Sequence, residues 1–159
     1  MVSDTLSPSF TLRDADETAR LGGWFAAHLH AGDCLLLEGP IGAGKSHFCR
    51  ALIQTRLGRA EDVPSPTFTL VQTYQADVEI WHADLYRLTH PDEVLELGLD
   101  TAFDTGICLI EWPDRLGKHA PPHALRLQFQ QDGDGRRVTI DLGGRQDLRA
   151  ALVKDFPDA

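Results

Sequence analysis

The sequence predicts an α/β fold with a mixed, mainly parallel central sheet, and three observations lead to this prediction. The apolar runs Cys34–Leu37 and Ile107–Glu111 resemble strands that are buried on both faces of a parallel sheet. Patterns typical of helices alternate with such strands along the chain. A length of 159 residues with 42% hydrophobic residues suffices to bury one core, so we expect residues 1–159 to form a single domain.

The first third of the chain is expected to contain a strand and a helix. Residues Ser9–Leu12 are predicted to form a short strand. Asp14, followed by Glu17, gives a capping-box pattern, which predicts the start of an amphipathic helix that extends to about Leu29. The pair Gly22-Gly23 lies inside this helix and weakens the prediction, because each glycine costs a helix about 1 kcal/mol.

The middle of the chain is expected to continue with a helix and a hairpin. Lys45–Leu57 carries apolar residues at helical spacing and is followed by Gly58, a typical helix C-cap. β-Branched and aromatic residues predict strands at Thr67–Tyr74 and Val78–Asp84, joined through Gln75–Asp77.

The last elements complete a three-layer arrangement. Pro91 predicts a short helix over Asp92–Leu97, since proline is favoured in a first helical turn. Strands are expected at Leu125–Gln130 and Arg137–Leu142, on either side of a Gly-Asp-Gly turn, followed by a helix over Arg145–Phe156.

Charge and cysteine content argue against several classes of protein. The chain has 15 Lys and Arg against 24 Asp and Glu, a net charge of -9, so its overall field does not attract a nucleic acid. Cys34, Cys49 and Cys108 lie far apart in apolar stretches, which is typical of buried thiols in a reducing compartment. Neither a signal peptide nor a membrane-spanning run is recognisable, and we expect a cytoplasmic protein without a membrane partner.

The stretch GPIGAGKS, residues 39–46, matches the phosphate-binding pattern known as Walker A and predicts a P-loop NTPase-like fold. A buried strand precedes it and a helix follows it, as the pattern requires. Glycines allow backbone N–H groups to converge on phosphate oxygens, Lys45 supplies a cation, and the Ser46 hydroxyl is suited to Mg²⁺. The alternative, a glycine-rich turn that ends a strand, needs neither the lysine nor the serine.

Glu111 is the first charged residue after the apolar run ICLI and occupies the carboxyl end of a predicted buried strand. Open α/β sheets bind their ligands at this edge. A carboxylate there is suited to hold Mg²⁺ or to orient an attacking water, which makes Glu111 a candidate for the acidic residue of a P-loop site. The alternative is an ordinary polar strand end.

His82 and Asp84 lie on one face of the predicted strand Val78–Asp84, because side chains alternate between faces. Asp84 is nearer to the strand end and is a candidate to support the metal or to polarise a water. For His82 we favour a core or surface histidine, since nothing near it in the sequence completes a metal site.

Thr67 follows Ser65-Pro66 and is a candidate for a hydroxyl that meets the γ-phosphate and Mg²⁺, as switch segments of P-loop hydrolases do. A Ser/Thr turn that leads into a strand explains the same residues equally well. The chain contains no asparagine, so the Asn-Lys-x-Asp motif that reads guanine in GTPases is absent. It also lacks an arginine-rich lid of the kind found in nucleotide kinases.

Four ordered motifs together resemble one family. GPIGAGKS is followed by VPSPTFTLVQTY, then by WHADLYRL with a Pro-Asp-Glu-x-x-x-Leu-Gly segment, and then by ICLIEWPDRLG. This order resembles the TsaE family, the small ATPase of the bacterial machinery that makes threonylcarbamoyladenosine in tRNA. The resemblance extends from about Leu12 to Leu116.

The resemblance implies an ATPase that uses ATP and Mg²⁺ and acts on tRNA only indirectly. Its implied partners are the TsaB and TsaD type proteins, which form the two-subunit threonylcarbamoyl transferase that ATP turnover is thought to reset. Lys45, Asp84 and Glu111 would be catalytic, with Ser46 and Glu111 as the metal ligands. The residues implied to contact the nucleotide are Ile41, Gly42, Ala43, Gly44, Lys45, Ser46, Thr67 and Gly135, the last of these, or Arg136, from the late turn.

Two other functions compete with this one. A small-molecule kinase would use the same loop but would transfer phosphate to a hydroxyl substrate faster than to water. A binding module would hold ATP as a structural ligand without hydrolysing it. The rivals make different predictions for the products formed and for the effect of replacing Glu111.

Overall fold

A computed structural model describes residues 7–40, 42–59, 61–64, 66 and 70–156. In this part of the chain a mixed seven-stranded sheet lies between two layers of helices, which confirms the predicted α/β class. The strands are β1 (Ser9–Leu12), β2 (Cys34–Glu38), β3 (Val71–Gln75), β4 (Glu79–Asp84), β5 (Ile107–Glu111), β6 (Leu125–Asp132) and β7 (Gly135–Asp141).

The sheet has the strand order β1-β7-β6-β2-β5-β4-β3. Its centre is parallel, because β2 pairs in parallel with β6 and β5, and β5 pairs in parallel with β4. The antiparallel pairs β1/β7, β6/β7 and β3/β4 lie towards the two edges. The carboxyl ends of β2, β5 and β4 therefore meet at one edge of the sheet, where α/β proteins bind their ligands.

The helices are α1 (Ala15–His28), α2 (Lys45–Leu57), α3 (Glu93–Glu96), α4 (Leu99–Thr105) and α5 (Gln146–Asp155), with a kinked 3₁₀ helix at Pro113–His119. The capping box predicted for α1 is present: an Asp14 oxygen accepts from the Glu17 N–H at 2.9 Å, and Glu17 accepts from the Arg13 N–H. Helix α4 was not predicted.

Each face of the sheet has its own apolar core. Residues of α1, α2 and α5 pack on one face, and residues of α3, α4 and the 3₁₀ helix pack on the other. The three cysteines are buried free thiols, as predicted, and burial raises the pKa of the Cys108 thiol to about 12. In the described part of the chain, no helix has the length and apolar character needed to cross a membrane.

The hairpin of β3 and β4 is confirmed, but β3 begins later than predicted. Leu70 has a φ of 67°, a left-handed conformation that an extended strand does not allow, so the strand starts at Val71. The rest of the predicted start, at Thr67, lies outside the described residues.

Gly22 in helix α1 is explained by the helix that packs against it. A Cβ at Gly22 would lie 2.8 Å from the Phe48 carbonyl oxygen and 3.1 Å from the Ala51 Cβ, both on α2. At Gly23 the nearest atom would be 3.6 Å away, an ordinary contact. Gly22 therefore lets α1 approach the backbone of the helix that carries Lys45.

We expect Gly22→Ala and Gly23→Ala to have opposite effects. Gly22→Ala should lower the free energy of unfolding by about 1–3 kcal/mol, because the added methyl overpacks a rigid backbone contact. Gly23→Ala should raise it by up to about 1 kcal/mol through helix propensity alone. Urea unfolding of both variants measures the difference, and equal effects would contradict this explanation of the close helix contact.

Candidate functional site

The described residues of the loop after β2 include two glycines whose backbone conformation depends on the missing side chain. Gly39 and Gly44 have φ angles of 139° and 105°, which L side chains rarely adopt, and a Cβ at Gly39 would also meet the Phe129 carbonyl oxygen at 2.5 Å. Gly44 is the N-cap of α2 and offers no side chain to cap the first N–H groups. The positive end of α2 therefore remains available to an anion.

One N–H group of this loop, at a predicted phosphate contact, is already engaged in a hydrogen bond. The Ala43 N–H donates to the Pro40 carbonyl at 3.2 Å, so this donor would have to be shared with a phosphate or released to it. Ser46, the second residue of α2, borders the cleft. Ile41 lies outside the described residues, as does Thr67.

Lys45 is buried at the base of the cleft, with 4% of its surface exposed. Its Nζ donates to the Gly39 carbonyl at 2.6 Å and lies 3.9 Å from the centre of the Trp112 ring. Burial lowers the pKa of this ammonium, although the nearby carboxylates of Glu111 and Asp84 act in the opposite direction. The lysine is thus held beside the phosphate loop and close to both predicted acidic residues.

Asp84 and Glu111 end neighbouring parallel strands and are directly paired in the β4–β5 register. They are 6% and 2% exposed, which is unusual for carboxylates. Burial of this extent requires hydrogen bonds or opposite charges that offset the cost of removing a carboxylate from water. Asp84 Oδ1 accepts the Tyr86 N–H at 3.0 Å. Glu111 Oε2 lies 2.7 Å from His82 Nε2. The structure therefore brings Lys45, Asp84 and Glu111 together at one edge of the sheet.

Trp112 forms a wall of the cleft immediately after Glu111. Its φ of 59° is a left-handed conformation, which costs energy for a bulky residue and is typical of functional sites. The ring packs against Tyr86 with centroids 4.9 Å apart and against the Lys45 ammonium on the cleft side. This backbone geometry turns the indole towards the lysine.

The turn between β6 and β7 closes the cleft from the opposite side. Gly135 borders the cleft, but a Cβ there would meet the Leu12 carbonyl oxygen at 2.7 Å, so packing against β1 explains why this residue is a glycine. Arg136 reaches the phosphate loop, because its Nη2 donates to the Gly42 carbonyl at 2.9 Å. The Arg136 Nε is buried without a hydrogen-bond partner among the described residues.

These groups enclose a cleft of about 770 Å³, large enough for a nucleotide. Its lining residues are Leu12, Asp14, Ala15, Thr18, Gly42, Gly44, Lys45, Ser46, His47, Arg50, Asp84, Tyr86, Arg87, Glu111, Trp112, Asp134, Gly135 and Arg136. A hydroxyl and two carboxylates are the hard oxygen donors that Mg²⁺ prefers, so the residues present fit this metal.

Two contacts of the site were missed at the level of sequence. His82 was interpreted as a core or surface histidine; it is buried, but it also contacts Glu111. The sequence signal for this contact is that His82 and Asp84 lie on the same face of their strand. The sequence suggests Arg136 only as an alternative to Gly135 for a nucleotide contact. No local pattern indicates that its side chain reaches Gly42, which lies 94 positions earlier.

Comparison with known proteins identifies a family model, several relatives and a solved structure that are similar to this chain. Residues 6–139 match the family model described as threonylcarbamoyl adenosine biosynthesis protein TsaE. A tRNA threonylcarbamoyladenosine biosynthesis protein TsaE from Rickettsia conorii is 35% identical over 92% of this chain and 85% of its own, and one from Bacillus subtilis is 37% identical over 82% and 83%. The crystal structure of Bacillus subtilis YdiB aligns with a TM-score of 0.77 at 27% identity, covering 94% of this chain and 95% of that one.

Proposed function

Because the chain belongs to the TsaE family and so has a role in tRNA threonylcarbamoyladenosine biosynthesis, we propose that it serves this role as a Mg²⁺-dependent ATPase. One observation carries the proposal. The lysine of a phosphate-binding loop lies beside two buried carboxylates that end neighbouring parallel strands, and all three line a nucleotide-sized cleft.

ATP binding is supported by the loop and the helix behind it. The N-terminus of α2 and the Lys45 ammonium provide the positive charge for the phosphates. Bound phosphate would compete with the Gly39 carbonyl for the Lys45 N–H donors. Adenine is favoured over guanine because the guanine-reading motif is absent from the sequence.

Hydrolysis is supported by the acidic residues. Ser46 and Glu111 would hold Mg²⁺, which neutralises charge on the phosphates when bound. Asp84, which is paired with Glu111 in the β4–β5 register, would orient or polarise the attacking water. Lys45 would stabilise the charge that develops on the γ-phosphate, so the contribution of the chain is positioning and electrostatics.

The proposed partners are the two proteins of the transferase, of the TsaB and TsaD types, with tRNA contacted only through them. A net charge of -9 suits a protein surface better than a phosphate backbone. ATP turnover would then reset the transferase between rounds, in the cytoplasm, where tRNA is modified.

Phosphate release from ATP tests the proposal. We expect slow release by the isolated chain with Mg²⁺ and release about tenfold or more faster when the transferase pair is added, as for sites that a partner completes. EDTA should abolish release in both cases. Equal rates with and without the pair would contradict the coupling, and a phosphorylated small molecule formed faster than free phosphate would favour a kinase.

A further inference from the structure

We propose that His82 is a positioning residue for Glu111, holding one carboxylate oxygen so that the other is presented to the metal. This inference rests on the proposed function, since it concerns the same magnesium site. It differs from that function by assigning a role to a side chain that contacts neither nucleotide nor metal.

The geometry fixes the direction of the hydrogen bond. A carboxylate only accepts, so His82 Nε2 carries the proton and donates to Glu111 Oε2 across 2.7 Å. Both side chains are almost wholly buried, at 2% and 3% exposure. The bond joins the adjacent strands β4 and β5, and among the described residues no hydrogen bond reaches the other carboxylate oxygen, Oε1. Glu111 nevertheless borders the cleft.

A packing role alone does not explain a histidine at this position. Its second nitrogen, Nδ1, is buried without a hydrogen-bond partner among the described residues, which costs stability. A leucine would fill space between the strands without this cost. The contact that compensates is the one to Glu111, whose buried carboxylate accepts no other hydrogen bond from the residues that the structure describes.

Cys49 lies in the same cluster, with its Sγ, a His82 nitrogen and a Glu111 oxygen all within 4.8 Å of one another. Cys49 is fully buried and belongs to the apolar core on this face of the sheet, where a free cysteine behaves as a small hydrophobic residue. We therefore assign Cys49 to packing, and it provides a control.

The test measures the coupling between Mg²⁺ and nucleotide in the full chain. The Kd of a non-hydrolysable ATP analogue is determined with Mg²⁺ and with EDTA, and the ratio reports how well the metal is held. His82→Leu should reduce this ratio about tenfold or more, the usual effect of removing a hydrogen-bond partner of a metal ligand. His82→Gln, which can donate from Nε2 at similar reach, should restore most of it.

Matched control variants distinguish a loss of Glu111 positioning from a general effect on folding. His119 makes the same contact, Nε2 to Asp92 at 2.7 Å, away from the cleft, so His119→Leu should leave the ratio unchanged, as should Cys49→Ala. If His82→Leu does not fold, His82→Asn is tested instead. The amide nitrogen of asparagine corresponds in position to Nδ1 of histidine rather than to Nε2, so it does not reach Glu111. His82→Asn should therefore reduce the ratio as much as His82→Leu.

The outcomes distinguish the positioning role of His82 from the proposed function as a Mg²⁺-dependent ATPase. A wild-type ratio in His82→Leu or His82→Asn, or an equal loss in His82→Gln, would overturn the positioning role while leaving the ATPase intact. A wild-type chain that binds the analogue equally well with Mg²⁺ and with EDTA would overturn the magnesium site itself, and the positioning role with it.

Discussion

Lys45→Ala is expected to weaken ATP binding by about 30-fold or more, because truncating one partner of a buried charge pair costs about 2–5 kcal/mol. Lys45 is the only cationic side chain in the loop of residues 39–46, and it is buried at the base of the cleft. Titration calorimetry with MgATP measures the loss.

Two further variants make the Lys45 result specific. Lys45→Met keeps an apolar side chain that can pack against Trp112, so it should fold normally and yet bind as poorly as the alanine variant. Lys154→Ala removes an exposed lysine of α5 that does not border the cleft and should bind as the wild type does. Unchanged affinity in both Lys45 variants would rule out this loop as the phosphate site.

Glu111→Gln is expected to slow ATP hydrolysis by about 100-fold or more, the range found when one group that stabilises transition-state charge is removed. The change preserves size and still accepts the hydrogen bond from His82, but it removes the negative charge offered to Mg²⁺. ATP should still bind because Lys45 and the loop are intact, although with the loss of Mg²⁺-dependent affinity expected for His82→Leu, so hydrolysis is compared at saturating ATP. Stopped-flow phosphate release and equilibrium binding separate the two effects.

Glu38 offers a control that differs from Glu111 in its surroundings alone. It ends the neighbouring parallel strand β2, but its oxygens bind Arg126 at 2.9 Å and Gln128 at 3.1 Å, and it does not border the cleft. Glu38→Gln should hydrolyse ATP at the wild-type rate. A module that uses ATP only as a structural ligand would instead show negligible hydrolysis in the wild type and would keep its function in Glu111→Gln as long as ATP still binds.

Much of the site could be predicted because its signals are local. The phosphate loop is contiguous, and the rule that ligands bind at the carboxyl ends of parallel strands points to Asp84 and Glu111 individually. Their side-by-side pairing, in contrast, depends on the β4–β5 register, which joins residues 27 positions apart and which no local pattern specifies.

The unpredicted features depend on partners that are distant in the sequence. Gly22 counts against a helix on propensity, and only the backbone of α2 shows why it is there. Helix α4 was missed because it has seven residues between Gly98 and Gly106, too few for a clear period, although Leu99, Ala102 and Phe103 pack into the core together.

The central claim joins a chemical site to a cellular role: ATP hydrolysis in this cleft supports threonylcarbamoyladenosine formation. Its most direct test is the threonylcarbamoyladenosine content of tRNA from bacteria depleted of their own TsaE protein and supplied with this chain. The wild-type chain should restore the modification, whereas Lys45→Ala and Glu111→Gln at equal expression should not. Full restoration by Glu111→Gln would contradict the claim that hydrolysis at this site serves the modification.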